Sequence, residues 1–259
     1  MPRTLRTSNP VRRGHPLNQG CVAWWLTLPH TQGTATWFDL MGSYHGTLTN
    51  MGNANNGWRP THRPGGFGDV LFDGVVTTGG YVQCRSSAIL AGKSNWAIAA
   101  WVRSTATPAG YGQTIYGESI SGGGNDIFKM EALATGGTKG FTLTYRNDAG
   151  TLLQVVGPTA INDGAWHRGV AVYSGSTISV FRDGLLDATG TWTNPNTFTG
   201  AIQSRIGSDA GDPSAFFLGS IEGVKLWTGN LLAISNQAAF AAFDYDQSRR
   251  GNPDTLNYL

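Results

Sequence analysis

Charged residues are scarce in this sequence of 259 residues: Asp, Glu, Lys and Arg make up 13%, and the formal net charge is +2. So small a net charge gives no reason to expect nucleic acid or an anionic membrane surface as a partner. Long apolar runs are missing too, and no stretch approaches the roughly 20 apolar residues that a membrane-spanning helix needs. No apolar segment follows the basic residues near the N-terminus, so the sequence predicts no secretion signal.

Cysteine and glutamate are rare. The two cysteines, Cys21 and Cys84, fall in predicted strands, where two buried thiols are favoured over one disulfide bridge. The three glutamates, Glu118, Glu131 and Glu222, each lack a second acid two or four residues away, so no strand face carries the paired carboxylates of a glycosidase. The chain also has no G-x-S-x-G motif, and its histidines lack metal-binding spacing. We therefore predict a protein that is not an enzyme.

Glycine and aromatic residues are plentiful, with 37 Gly, 9 Trp, 11 Phe and 8 Tyr. This composition suits one large all-β domain with many turns. Apolar, β-branched runs at 169–173 and 177–182 predict a hairpin, and Asp183-Gly184 then predicts a two-residue turn into a third strand at 185–191.

The order of several short motifs resembles the laminin G-like, concanavalin A-like lectin/glucanase jelly-roll family. These motifs are VLFDG at 70–74, WAIAAWVR at 96–103, Trp166-His167 opening a strand, the strand that ends in Asp183-Gly184, and the Arg-Ile-Gly at 205–207. The resemblance implies an all-β, two-sheet antiparallel jelly-roll β-sandwich with one short C-terminal helix. It also implies a structural role for Trp166, His167, Asp183 and Gly184, and Trp101 is a further core anchor.

The sequence divides into an N-terminal arm at 1–19, a sandwich at 20–232, and a short helix with a tail at 233–259. The near-continuous apolar run at 96–103 predicts a central strand covered on both faces, whereas 114–116 and 127–133 are predicted as edge strands. The helix is expected within 231–243, capped by Ser235 and carrying Phe240 and Phe243 on one face.

Two kinds of binding site are considered. Calcium could bind the rim loops through Asn125, Asp126, Asp209 and Asp212, although the segment after the F-D-G motif, VVTTGG at 75–80, lacks the acids that family members tend to carry there. No other cofactor is expected. Glycans could stack on Trp58, Tyr111 and Trp192, which lie in or beside predicted loops, but packing of these rings onto the sandwich is favoured.

These observations favour a sandwich used for binding or assembly. The basic arm, the absence of a secretion signal and a C-terminal end like those of phage and environmental bacterial family members predict a virion surface protein of a tailed bacteriophage, a capsid decoration or tail-associated subunit. Its expected partners are viral shell or tail proteins, held through the terminal arms, a second copy of the chain, and cell-surface glycans. The alternatives are an extracellular, stand-alone lectin-like module and, less favoured, a jelly-roll glycoside hydrolase.

Overall fold

A computed structural model describes residues 15–27, 34–51, 57–59, 68–75, 79–106, 112–120, 127–132, 140–146, 150–174, 176–192, 202–209, 211, 215–229 and 236–249. Within these ranges the chain forms two antiparallel sheets of eight strands each. The predicted all-β sandwich with one helix is confirmed. No described helix is long and apolar enough to cross a membrane.

The first sheet has the order β14-β13-β12-β7-β16-β5-β4, and β1 also pairs with β16. Its strands are β1 (Cys21–Trp25), β4 (Gly57–Arg59), β5 (Asp69–Asp73), β7 (Asn95–Arg103), β12 (His167–Ser174), β13 (Thr177–Arg182), β14 (Leu185–Thr191) and β16 (Leu218–Thr228). The predicted meander of β12, β13 and β14 is confirmed. Asp183 and Gly184 both have positive φ, 51° and 82°, which is the type I′ geometry that suits a two-residue hairpin.

The second sheet has the order β11-β10-β9-β8-β15-β6-β3-β2. Its strands are β2 (Thr36–Trp37), β3 (Gly46–Thr49), β6 (Tyr81–Arg85), β8 (Gln113–Ile120), β9 (Ile127–Ala132), β10 (Phe141–Arg146), β11 (Leu152–Val156) and β15 (Ile202–Ile206). The prediction of edge strands at 114–116 and 127–133 is wrong, because β8 and β9 each pair on both sides. The glycine-rich segments next to them suggested an edge, but they mark the connections between long interior strands.

The main core lies between the two sheets, where large aromatic side chains meet. On β7, the residues Trp96, Ile98, Ala100 and Val102 face this core, and Trp96 packs edge to face against Phe128 of β9 with 4.8 Å between ring centroids. The alternate residues of β7 face the other way and are buried as well. The central strand predicted at 96–103 is therefore confirmed, with both faces covered.

A second apolar cluster covers the outer face of the first sheet. Helix α1 (Gln237–Arg249) packs there through Phe240, whose ring meets Trp227 edge to face at 5.1 Å. The helix begins later than predicted, and Asn236 caps it by accepting a hydrogen bond from the Ala239 N–H at 3.1 Å, while Ser235 lies outside the described residues. Phe240 and Phe243 do not share one buried face, since Phe243 is 39% exposed.

The end of the predicted N-terminal arm packs against the same outer face. A short 3₁₀ helix (Pro16–Asn18) buries Leu17, whose carbonyl oxygen accepts a hydrogen bond from the Trp227 indole at 2.7 Å. The buried Lys225 ammonium donates to Asn18 Oδ1 at 2.8 Å, and burial lowers the pKa of this lysine. Residues 15–18 therefore belong to the sandwich, while 1–14 lie outside the described residues.

Candidate functional site

Two of the three aromatic residues predicted to bind glycans, Trp58 and Trp192, are described, and both pack against other rings. Trp192 is 7% exposed and packs against Tyr145 with ring centroids 5.4 Å apart, so it belongs to the core and offers no open face for a sugar. Trp58 lies on β4, not in a loop; its ring meets Trp37 edge to face, and its indole N–H donates to the Thr34 carbonyl at 2.7 Å. Tyr111 lies outside the described residues.

Of the residues predicted to bind calcium, only Asp209 is described; Asn125, Asp126 and Asp212 lie outside the described residues. Asp209 is buried and accepts hydrogen bonds from the Gly211 N–H at 2.9 Å and from the Ser119 hydroxyl. Its other oxygen faces the Lys129 ammonium at 3.8 Å. Within the described ranges, no three histidine, cysteine or acidic residues cluster to hold a metal, so the calcium site stays a prediction.

The three glutamates are all buried. Glu118 accepts hydrogen bonds from the backbone N–H groups of Ile89, Leu90 and Ala91 and from the Tyr116 hydroxyl, at 2.6 to 2.9 Å. Burial raises the pKa of Glu118. Its three backbone donors tie the connection between β6 and β7 to the second sheet, so Glu118 has a structural role.

Glu131 also has partners within the fold. It accepts a hydrogen bond from Thr144 Oγ1 at 2.7 Å and forms an ion pair with Lys129 at 3.1 Å. Glu222 lies on β16 and is fully buried beside Trp101 of β7, its cross-strand neighbour. None of the three glutamates is therefore open to a ligand. Both cysteines are free and buried, and burial raises the pKa of the Cys21 thiol to about 12.

An open groove of about 710 Å³ lies on the outer face of the first sheet, at the end where β5 and β7 finish and β16 starts. We call it the Arg103 groove. Its described lining comprises Leu71, Phe72, Asp73, Val75, Arg103, Ser104, Thr105, Gly164, Leu218, Gly219 and Ser220. None of these residues comes from helix α1, which leaves this end of the outer face open.

The strand register explains why a groove forms here. Ser220 of β16 is paired with Arg103 of β7 on one side and with Leu71 of β5 on the other. All three side chains point outward, because the neighbouring Val70, Val102 and Ile221 face the main core. A small residue therefore lies between two long ones, and the floor spans two strand spacings, about 10 Å.

Arg103 forms one wall of the groove. Its guanidinium lies 5.3 Å from the centroid of the Trp166 ring, close enough for a cation–π contact. Neither a hydrogen bond nor an ion pair joins this guanidinium to any described residue, whereas the nearby Arg168 is bound by Asp244. Trp166, predicted as a core anchor, is only half-buried, and its ring supports Arg103.

The opposite wall carries a carboxylate and apolar side chains. Asp73 Oδ1 accepts weak hydrogen bonds from the N–H groups of Val75 and Gly80, at 3.3 and 3.4 Å. Val75 and Leu218 are 46% and 44% exposed, so this wall presents apolar surface to solvent. Gly74 of the F-D-G motif has a φ of 65°, and a Cβ there would lie 2.6 Å from Leu218 Cβ, so glycine leaves room for that leucine.

His167 holds the turn that borders the groove. Its Nδ1 lies 2.8 Å from Asp183 Oδ2 and its Nε2 lies 3.0 Å from Asp163 Oδ1, while Asp183 Oδ1 accepts the Arg168 N–H at 2.8 Å. Hydrogen bonding to Asp183 and Asp163 raises the pKa of His167. A protonated ring can donate to both carboxylates, so the imidazolium ties the turn before Trp166 to the Asp183-Gly184 hairpin.

Two residues at the Arg103 groove, Asp73 and Trp166, were noticed in the sequence as markers of the fold and not as binding residues. Asp73 and Trp166 belong to the motifs that indicated the fold, and both were interpreted as parts of its framework. Arg103 ends the apolar run of β7, and its outward register follows from the two-residue alternation after Trp101. The alternation of β7 therefore indicated that the Arg103 side chain points outward. It did not indicate that Arg103 lies beside Ser220 and Leu71, because that depends on the order of the strands in the sheet.

Comparisons with known proteins agree with this architecture. The domain 4 structure of AbnA, a GH43 extracellular arabinanase from Geobacillus stearothermophilus, in complex with arabinotriose, has a TM-score of 0.62 at 13% identity; the match covers 86% of this chain and 98% of that one. The binding domain of botulinum neurotoxin DC in complex with SialylT has a TM-score of 0.60 at 11% identity, covering 90% of this chain and 52% of that one. At such identities these similarities establish the fold alone.

A third similar structure is the binding domain of Paraclostridial Mosquitocidal Protein 1, with a TM-score of 0.62 at 10% identity, covering 89% of this chain and 53% of that one. The chain thus spans about half the length of these toxin binding domains. No curated protein matches the sequence. The sequence model of a family described as the concanavalin A-like lectin/glucanases superfamily, of laminin G type, matches residues 76–233, more than half of the chain. The protein therefore belongs to the concanavalin A-like lectin/glucanases superfamily.

Proposed function

We propose that this protein is a non-catalytic carbohydrate-binding module and that the Arg103 groove is its binding site. The observation that carries the proposal is the combination of groups in one open groove: a guanidinium that forms no hydrogen bond or ion pair with the described residues, a carboxylate, and exposed apolar side chains at Val75 and Leu218. Sugars present hydroxyl groups along their edges and C–H groups on their faces. The groove offers a surface for each.

The polar groups suit hydroxyl recognition. Arg103 can only donate hydrogen bonds, and an ionised Asp73 can only accept them, so together they match the two functions of a sugar hydroxyl. Hydrogen bonds to charged groups contribute more than neutral ones, roughly 1.5–3 kcal/mol each. Leu218 lies on the floor between them, directly opposite Asp73 in the strand register, where a sugar ring could cover it.

The solved structures of similar fold support the proposal by analogy. Domain 4 of the arabinanase is described in complex with arabinotriose, and the botulinum neurotoxin binding domain in complex with SialylT. These ligands belong to those proteins, and the identities of 13% and 11% do not transfer them. They indicate that sandwiches of this shape serve as binding modules. A binding role agrees with the described lining of the Arg103 groove, which contains one carboxylate and not the pair that a glycosidase needs.

The test is a glycan array with the purified full chain, followed by calorimetry on the best ligand. Leu218→Ala should weaken binding about fivefold, since lost contact with one leucine face is equivalent to roughly 1 kcal/mol. The matched control is Leu186→Ala, because Leu186 is also exposed, at 57%, but lies on β14 away from the groove.

Two results would contradict the proposal. An array without any hit, with and without calcium, would leave the groove with no carbohydrate to bind. A glycan whose affinity falls equally with Leu218→Ala and Leu186→Ala would bind elsewhere on the sandwich. Thermal unfolding of both variants should match the parent chain, because neither leucine is buried.

The virion surface role stays a proposal beside this one. It depends on residues 1–14 and on the C-terminal tail, which lie outside the described residues, and on partners in a viral shell or tail. Its localisation would be the virion, whereas a stand-alone lectin-like module would be extracellular. Co-sedimentation of the full chain with assembled shells separates the two: retention that is lost when residues 1–14 are removed supports the virion role, and free protein in the supernatant contradicts it.

A further inference from the structure

We propose that the Arg103 groove selects acidic glycans, with the carboxylate of a sugar acid bound by the Arg103 guanidinium. This inference rests on the proposed function and names the ligand class of the same site. It follows from the state of Arg103, from the distance to the groove's own carboxylate, and from the apolar floor between them.

Arg103 is available to a ligand and held in place. The guanidinium is backed by the Trp166 ring at 5.3 Å and is bound to no described carboxylate or carbonyl group. Contact with the ring restricts the motion of the guanidinium, so less conformational entropy is lost when its N–H groups bind a ligand. A guanidinium oriented in this way can form two parallel hydrogen bonds with one carboxylate, the strongest arrangement open to arginine.

Arg168, another arginine of the first sheet, has a different environment. Arg168, one strand away on β12, is buried with Asp244 at 2.8 Å and also donates to the Gly223 carbonyl at 3.2 Å. That arginine has its carboxylate inside the fold. Arg103 has the same kind of aromatic neighbour, but no described acid pairs with it, so its N–H groups can receive the carboxylate of a ligand.

Asp73 and Arg103 lie on opposite walls of the groove, which limits repulsion between Asp73 and an anion bound at Arg103. Asp73 lies two strands away and two residues further along β5 than Leu71, the residue in register with Arg103, so the two backbone positions are separated by about 12 Å. This exceeds the screening length of roughly 8 Å at physiological ionic strength. Asp73 can therefore accept hydroxyl groups at one end of a ligand whose acid lies at the other end.

The geometry also gives the ligand a direction. The acid group lies at Arg103, one face of the sugar covers Leu218, and the hydroxyl groups point toward Asp73. A neutral glycan would use the floor and Asp73 but would leave Arg103 with weaker partners. We therefore expect the acid to contribute at least a tenfold gain in affinity.

The experiment compares matched pairs of glycans on the full chain by calorimetry: oligomers of galacturonate, glucuronate and sialylated lactose, each against its carboxyl-reduced neutral counterpart. At least one acid should bind tenfold or more tightly than its counterpart. Arg103→Gln should abolish this preference, while Arg103→Lys should keep part of it. The control is Arg85→Gln, because Arg85 likewise lies over an aromatic ring, Tyr44 at 5.1 Å, but is on the second sheet.

The outcomes separate this inference from the proposed function. If neutral glycans bind as tightly as the acids and Leu218→Ala weakens both, the groove binds carbohydrate and the acid preference is refuted. If no glycan binds, both proposals fall together. A sulfated trisaccharide serves as a further arm: tighter binding of the sulfate than of every carboxylate would show that the groove recognises a different oxyanion.

Discussion

The buried ion pair between Arg168 and Asp244 provides the sharpest test of how helix α1 is held on the sandwich. Arg168 Nε lies 2.8 Å from Asp244 Oδ2 and Nη2 lies 3.2 Å from Oδ1, and both side chains are almost fully buried. Replacing Arg168 with methionine keeps most of the apolar stem but removes the charge. The Asp244 carboxylate is then left under the helix without its partner.

The expected loss follows from burial. Breaking one partner out of a buried pair costs about 3–5 kcal/mol, because the remaining charge is desolvated without compensation. The double variant Arg168→Met with Asp244→Leu removes both charges and should recover most of that loss, since apolar replacement of a whole buried pair is often neutral or stabilising. The free energy of unfolding of the double variant should therefore exceed that of Arg168→Met by about 2 kcal/mol or more.

Equilibrium unfolding in urea measures all four proteins of this cycle, with tryptophan fluorescence as the probe. Trp101 lies between Arg168 and Tyr245 of the helix, so its environment reports on helix docking. Similar losses for both single variants, together with recovery in the double variant, support the reasoning. Losses below about 1 kcal/mol that simply add in the double variant would refute it, because the pair would then carry no coupling energy.

Two further predictions concern other buried or half-buried acids and bases. Hydrogen bonding to Asp183 raises the pKa of His167 above 6.5 in the folded state, so its contribution is complete below pH 6.5 and is lost as the pH rises through the folded pKa. The stability gap between the parent chain and His167→Gln, about 1 kcal/mol at pH 6, should shrink by pH 9 in thermal unfolding at both pH values; a constant gap contradicts this. Glu118→Gln places an amide N–H₂ against donors and should cost about 1–3 kcal/mol in urea unfolding, whereas an unchanged midpoint would show that the four donors do not depend on the carboxylate.

Much of the architecture could be predicted from local sequence. The Asp183-Gly184 turn and the apolar run of β7 are short-range signals, and the structure confirms both. The helix was expected within 231–243 but lies at Gln237–Arg249, because its last turns, from Asp244 onward, are polar and gave no apolar signal. The edge strands were misplaced, since the partners of β8 lie nearby in β9 and far along the chain in β15.

The candidate site could be predicted only in part. Loop aromatics were the natural candidates for sugar stacking, yet Trp192 is buried in the core. The groove depends on three residues from strands that are distant in sequence, Arg103, Ser220 and Leu71, and on the absence of the helix above them. Sequence alternation indicates which side chains point outward, but only the strand order shows which of them become neighbours.

The cover on the outer face of the first sheet comes from both ends of the sequence. Leu17 reaches it from the N-terminal side and Phe240 from the C-terminal side, and both meet Trp227. On the ribosome, the last strand and the helix are made after nearly all of the sandwich, so the first sheet emerges with an uncovered apolar face. A chain that stops at residue 233 keeps all the described strands but loses the helix, so the Trp227 side of that face stays bare, and we expect this chain to aggregate where the full chain stays dispersed.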